Sequence, residues 1–149
     1  PVVRYADILL MYAEAQTEYL NKAQGASIIN DELVYKSIEM VRQRAGLNPY
    51  TLKRGMSYDQ LIKLIRNERR CEFAFEESRF WDIRRWKIAE KYLGIPDLGL
   101  NVAANDDAGF FQVREIPLIR NFHKGQYLMP IPMKETNKMP QLVQNPYYN

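Results

Sequence analysis

The run Arg66-Asn67-Glu68-Arg69-Arg70-Cys71-Glu72-Phe73-Ala74-Phe75-Glu76-Glu77-Ser78-Arg79-Phe80-Trp81-Asp82-Ile83-Arg84-Arg85-Trp86 holds six of the chain's 12 arginines beside five carboxylates. Glu68, Glu72 and Glu76 recur at i, i+4 and i+8, so they share one face of a helix. That line runs next to Ile65 and Phe75, at the edge of the stripe expected to be buried. A carboxylate there requires a charged or hydrogen-bonded partner, because an unpaired buried charge is strongly unfavourable. Arg42 and Arg44, at the end of the preceding helical pattern, are the obvious donors, as is Arg79. Guanidinium has the planar fork such a site requires. The pattern therefore predicts a structural ion-pair network of Arg42, Arg44, Glu68, Glu72 and Arg79 that locks helices together.

Outward from this run the front half reads as helices. From Arg4 to Leu20, Tyr5, Ile8, Leu9, Tyr12, Ala13 and Tyr19 recur at helical spacing. Ala6, Leu10, Met11 and Ala15 widen the stripe, so this helix requires cover on more than one side. Asn21 to Asn30 is a polar connection. A second helix fits Asp31 to Ala45, where Val34, Ile38, Val41 and Ala45 step by four, three and four; Gly46 stops it and Asn48-Pro49 follows. Ser57 with Gln60 forms a capping box for a third helix that runs towards Glu77 with Leu61, Leu64, Ile65, Cys71 and Phe75 inside. A fourth spans Ser78 to Leu93, closed by Gly94 and Pro96. Trp81 and Trp86 on it read as core or interface, and Cys71 as a small core residue.

After Gly94 the helical period is lost. Ile95 to Gly109 reads as an irregular loop, Phe111-Gln112-Val113 as a short strand whose pairing Pro117 limits, and Gly125 to Pro132 as an extended segment. Met133 to Lys138 fits one helical turn, and the tail keeps Leu142, Val143 and Tyr147, which favours a tail packed over the helices. The expected fold class is mainly α: a four-helix core over 4–93, then a loop-rich cover over 94–149 with at most short strands, the whole forming one domain over 1–149.

Composition narrows the chemistry. The 149 residues are 46% apolar and 26% charged, which suits one folded domain rather than a disordered chain. Twenty-one basic against 18 acidic residues leave only +3, too small an excess for a nucleic-acid footprint. No apolar run approaches the roughly 20 residues of a membrane-spanning helix. One cysteine (Cys71) and one histidine (His123) exclude an internal disulfide and a thiolate or imidazole metal cluster. His123 has no Ser or Cys nucleophile pattern beside it. A glycosidase pair is disfavoured because i, i+4 carboxylates point the same way along one helix and arginine partners would hold both ionised. No catalytic set, cofactor or metal is assigned. Tyr50 and Phe110, aromatic residues on loops, are the candidate ligand-binding positions. Pro1 without a preceding Met reads as the start of a piece of a longer chain.

Four stretches carry a resemblance. Arg4-Tyr5-Ala6-Asp7-Ile8-Leu9-Leu10-Met11-Tyr12-Ala13-Glu14-Ala15 resembles the opening of the C-terminal region of the SusD/RagB family, and Val41-Arg42-Gln43-Arg44-Ala45-Gly46-Leu47 its second signature. Glu68 to Glu76, leading into Arg79-Phe80-Trp81-Asp82-Ile83-Arg84-Arg85-Trp86, is similar to the third. Met129-Pro130-Ile131-Pro132 with Glu135, followed by Gln144-Asn145-Pro146-Tyr147, is similar to the fourth.

The resemblance implies a helical scaffold of tetratricopeptide type and a non-catalytic outer-membrane lipoprotein on the bacterial surface. Such a protein binds oligosaccharide or peptide and delivers it to a TonB-dependent SusC-type transporter. It contacts the membrane only through a lipid anchor in an N-terminal part absent from this sequence. None of the four stretches is a ligand-binding motif, so no binding residue is carried over. The alternative, from the residues themselves, is a helical-repeat scaffold that binds protein and has no small ligand of its own.

Overall fold

In the computed structural model, which describes residues 3–119 and 122–148 with the backbone alone at 117–119, contacts divide the chain into two compact units, Pro1–Arg79 and Phe80–Asn149. The division falls at Arg79, earlier than the expected change of character at residue 94.

In the first unit α1 (Tyr5–Lys22) turns Ala6, Leu10, Ala13 and Thr17 inward at steps of four, three and four. The Thr17 hydroxyl donates to the Ala13 carbonyl at 2.7 Å, so no polar atom is stranded there. Helix α2 (Glu32–Arg44) starts on Asp31, whose carboxylate accepts from the Leu33 and Val34 N–H groups at 2.9 and 3.3 Å. Helix α3 (Tyr58–Glu72) starts on the Ser57–Gln60 capping box. A two-residue antiparallel pair, β1 (Ile28–Ile29) with β2 (Met56–Ser57), clips together the segments that enter α2 and α3. Tyr35 reinforces the clip: its hydroxyl donates to the Ile29 carbonyl at 2.8 Å and accepts from the Met56 N–H at 2.9 Å.

α1 packs on both α2 and α3. Leu10, Ile29, Val34, Ile38, Leu61 and Ile65 are fully buried between them. Each large aliphatic contributes about 1.5–3 kcal/mol by leaving water. The opposite face of α1, with Tyr5, Ile8, Met11, Tyr12 and Tyr19, is exposed.

Helix ends account for most departures from the expected elements. α2 ends as expected at Gly46 (φ 76°), where Leu47 N–H reaches the Arg42 carbonyl and Gly46 N–H the Gln43 carbonyl, a Schellman motif. α3 ends at Glu72 instead of continuing to Glu77, because Phe75 and Glu77 adopt left-handed backbone (φ 65° and 61°). Phe75 consequently leaves the inner stripe and stands fully exposed, Cys71 is exposed, and Phe73 fills the buried aromatic position.

The expected fourth helix is two helices in the structure. α4 (Ser78–Arg85) closes with its own Schellman pair, Ile88 N–H to the Ile83 carbonyl and Lys87 N–H to the Arg84 carbonyl, with Lys87 (φ 52°) where glycine is usual. The short α5 (Ala89–Leu93) follows.

In the second unit, part of the expected irregular loop is β3 (Pro96–Leu100), antiparallel to β4 (Val113–Ile119), with the short α6 (Asp107–Phe110) between them. Pairing with β3 extends β4 well beyond the expected three residues. The register slips between Pro96 and Asp97, opposite Ile119 and Ile116, so Pro117 sits in the irregularity, where a missing N–H is tolerated. A 3-10 turn (Lys124–Tyr127) and α7 (Met133–Lys138) follow. The tail is clipped to the extended segment by side-chain amides. Gln144 accepts from Ile131 N–H at 2.7 Å and donates to the Ile131 carbonyl at 2.9 Å, while Asn145 donates to the Met129 carbonyl at 2.6 Å. Ile131, flanked by prolines, supplies the N–H that this clip requires.

Left-handed backbone at a non-glycine residue costs about 1 kcal/mol. Glu77→Gly is therefore expected to raise the stability of the chain by about 0.5–1 kcal/mol in urea unfolding. A loss of stability would show that the Glu77 side chain makes contacts that outweigh the backbone cost.

Candidate functional site

Two side-chain constellations stand out, one in each unit. In the first unit, Glu72 at the end of α3 receives Arg4 from just before α1 and Arg44 from the end of α2. Arg4 Nη1 lies 2.6 Å from Glu72 Oε1, and Arg44 Nη2 lies 2.6 Å from both carboxylate oxygens. Arg4 Nη2 also donates to the Glu72 main-chain carbonyl at 2.9 Å, an orphan acceptor of the helix end. The Nε and Nη2 atoms of Arg4 fork onto Glu76 at 3.1 and 2.8 Å. These carboxylates hold the Arg4 guanidinium above its ordinary pKa, Glu76 first and Glu72 second. Arg42 pairs with Glu68 and also donates through Nε to the Tyr50 carbonyl at 3.0 Å.

Arg69, only 6% exposed, pairs with Asp7 of α1 at 3.0 Å. The Phe73 ring is covered by two guanidinium groups, Arg4 at 5.0 Å and Arg69 at 5.1 Å. Of the five residues expected in the network, Arg42, Arg44, Glu68 and Glu72 make these pairs; Arg79 is half-buried at the second position of α4. Arg4, Asp7 and Arg69 were not assigned by helical spacing, which relates residues one turn apart and carries no information across 62 to 72 residues.

A separate group of charges in the first unit anchors the loop before β2. The buried Glu39 carboxylate pairs with Arg54 and accepts from Leu52 N–H at 2.7 Å; Glu32 takes the other edge of Arg54 at 2.8 Å. The Arg54 hydrogen bond lowers the pKa of Glu39, burial opposes it, and the Leu52 N–H lowers it further. Glu32 is likewise lowered, chiefly by Arg54.

The second unit holds an open cleft of about 840 Å³. Trp81 of α4 and Tyr147 of the tail are 59% and 69% exposed, and with Tyr127 they give it an aromatic lining completed by Leu128 and Pro146. Gly125 forms part of the floor; a Cβ there would stand 2.9 Å from Tyr147 Cβ, so only glycine lets the tail close this tightly. Arg84, Arg85, Lys87 and Lys124 line the cleft with a single carboxylate, Glu90.

Arg84 is held in place. Its guanidinium lies 3.5 Å from the Phe80 centroid and donates to the Phe80 and Gln126 carbonyls at 3.0 and 3.3 Å. Arg85 pairs with Asp82 at 2.9 Å. This cleft joins residues more than 60 positions apart and was not assigned from the sequence. The two residues that were assigned lie elsewhere: Tyr50 belongs to the first unit, and Phe110, half-buried against Phe111, does not line the cleft. His123 caps the 3-10 turn by accepting from Gly125 N–H at 3.2 Å. Among the described residues no group of three or more His, Cys, Asp or Glu side chains could hold a metal ion, and no helix is long and apolar enough to cross a membrane.

The architecture is that of a mainly helical module, braced by arginine–carboxylate pairs and carrying an open aromatic cleft. The model of the SusD family matches residues 1–148. The SusD-like protein P2 of Formosa agariphila is 32% identical over 151 aligned positions, covering 98% of this chain and 25% of that protein. A SusD-like protein of Bacteroides fragilis superposes with a TM-score of 0.73 at 35% identity, over 99% of this chain and 25% of its own. A SusD homologue of Bacteroides thetaiotaomicron gives 0.65 at 27% identity, over 98% and 26%. The chain belongs to the SusD family, and it spans about a quarter of the length of these relatives.

Two outcomes follow from the charged groups. Glu72→Ala removes the buried carboxylate that joins Arg4 to Arg44 and is expected to cost about 2–3 kcal/mol, whereas the half-exposed Glu76→Ala costs under about 1 kcal/mol in urea unfolding. Equal losses would contradict a central place for Glu72. Glu39 and Glu32 titrate lower in the folded chain than in the unfolded one. Their stabilisation is therefore complete above the ordinary value of 4.5 and is lost as pH falls through their lowered folded-state values. Glu39→Gln should lower stability near pH 7 and flatten the decline between about pH 5 and 3; an unchanged slope would remove Glu39 from the acid response.

Proposed function

We propose that this chain is the C-terminal region of a surface-exposed nutrient-binding lipoprotein of the bacterial outer membrane. The protein takes up a glycan or another nutrient such as a peptide, performs no chemistry on it, and hands it to a TonB-dependent SusC-type transporter. The match of the SusD family over residues 1–148 carries this reading.

The cleft of the second unit has the chemistry that such binding requires. Exposed faces of Trp81 and Tyr147 stack on the C–H faces of sugar rings, while polar groups such as the Glu90 carboxylate satisfy hydroxyl groups. Brace residues such as Glu68 and Glu72 are engaged by guanidinium groups, which favours a holding role over acid–base work. A second reading, a helical scaffold that binds protein alone, is favoured by one observation: the exposed apolar face of α1 from Tyr5 to Tyr19.

Affinity electrophoresis and calorimetric titration of the full-length protein against oligosaccharides separate the two. Binding that falls at least about five-fold in Trp81→Ala and Tyr147→Ala supports the cleft, if a sugar face on an aromatic ring is worth about the 1–3 kcal/mol of a nucleobase stacked on one. Tyr50→Ala and Phe110→Ala should leave affinity unchanged; a loss there with none at Trp81 would move ligand contact to those loops. Transporter co-purification without any small-ligand binding would favour the scaffold.

A further inference from the structure

We infer that the cleft of the second unit selects an acidic oligosaccharide, one whose uronate carboxylates meet Arg84, Lys87 and Lys124 while its rings stack on Trp81 and Tyr147. This inference rests on the nutrient-binding reading above and adds the charge of the ligand to it.

The first ground is the charge imbalance of this cleft, whose cations are not all neutralised by neighbouring carboxylates. The whole chain carries only +3, yet the cleft collects four cations against Glu90 alone. Asp82 neutralises Arg85. Among the described residues no carboxylate lies within 4.0 Å of the charged nitrogens of Arg84, Lys87 or Lys124. Arginines elsewhere in the chain show the contrast: Arg4, Arg42, Arg44 and Arg54 each hold a carboxylate. A concave surface with apolar walls and one sign of charge concentrates its field on whatever enters.

The second ground is preorganisation. Arg84 is fixed by stacking on Phe80, by a second ring, Phe122, at 5.4 Å, and by two main-chain carbonyls, and none of these contacts supplies an opposite charge. A guanidinium already held in one geometry loses little freedom when a carboxylate arrives. Lys87 is placed by the left-handed closing turn of α4, and Lys124 opens the 3-10 turn, so both cations come from hydrogen-bonded turns beside the aromatic faces. A neutral sugar gains nothing from this arrangement, whereas a uronate chain gains at each carboxylate.

The test uses the full-length protein, titrated with hexamers of galacturonate and mannuronate, a sulfated galactan oligomer, and neutral glucan hexamers of the same length. The expected result is at least about ten-fold tighter binding of a uronate hexamer than of the neutral ones, weakening as salt rises from about 20 to 300 mM. Lys87→Gln with Lys124→Gln should remove most of that preference and leave neutral-hexamer affinity and the unfolding midpoint unchanged. Preference for the sulfated oligomer alone overturns the assignment to uronates. Acidic binding insensitive to the double substitution overturns the assignment to this cleft. Neutral hexamers binding equally well, with sensitivity to Trp81→Ala, overturn the charge preference and leave the nutrient-binding reading standing. Absence of binding to every oligosaccharide, together with transporter co-purification, overturns both.

Discussion

The Glu72 carboxylate is placed where three helix ends must be joined. Arg4 precedes α1, Arg44 is the last residue of α2, and Glu72 is the last residue of α3. Aliphatic packing of Leu10, Ile38 and Ile65 draws the helices together, and because it is non-directional it leaves their relative slide weakly specified. A buried carboxylate with two guanidinium partners removes that freedom, since it is tolerated only where both forks reach it. Helix electrostatics add to the same geometry. Arg44 lies at the negative end of α2, and Arg4 reaches a carbonyl that α3 leaves unpaired. The Phe73 ring lies against both the Arg4 and the Arg69 guanidinium, so the aromatic residue after the helix is part of the clasp.

What could be read from the residues follows the range of the interactions involved. Asp31 and Ser57 cap their helices through atoms two or three residues away, and Gly46 closes α2 within one turn; such local chemistry is visible in a string of letters. Lys87 closes α4 by the same hydrogen bonds as Gly46 closes α2, yet nothing about a lysine announces left-handed backbone. Phe75 and Glu77 hide the end of α3 for the same reason. The strand β3 lay unseen in an Asn-, Asp- and Gly-rich stretch because its regularity comes from β4, across the α6 excursion. The mainly helical class with a few short strands was legible; the breaks were not.

The cleft was invisible on the same grounds. Trp81 and Tyr147 are 66 positions apart, and each taken alone reads as a core or interface aromatic. Their proximity depends on a chain of small constraints: prolines on either side of Ile131, one N–H left for Gln144, and a glycine at 125 that lets the following tail close. None of these has anything to do with a ligand. Each concerns where a backbone donor or a Cβ fits.

This separates two kinds of residue in and beside the stretches that identify the family. Glu68, Glu72, Arg42, Arg44, Gln144 and Asn145 are engaged by partners inside the unit and have little capacity left for a ligand. Lys87 and Lys124 make no ion pair among the described residues, and Trp81 and Tyr147 keep most of their surface in water. Under the proposed binding, changing such side chains alters recognition at little cost to folding, whereas changing Glu72 or Gln144 alters folding first. A scaffold of this kind can keep its brace while the chemistry of the cleft varies. The braced residues of the family stretches therefore specify the architecture, and the proposed ligand contacts fall on cations and aromatic faces that the brace leaves unused.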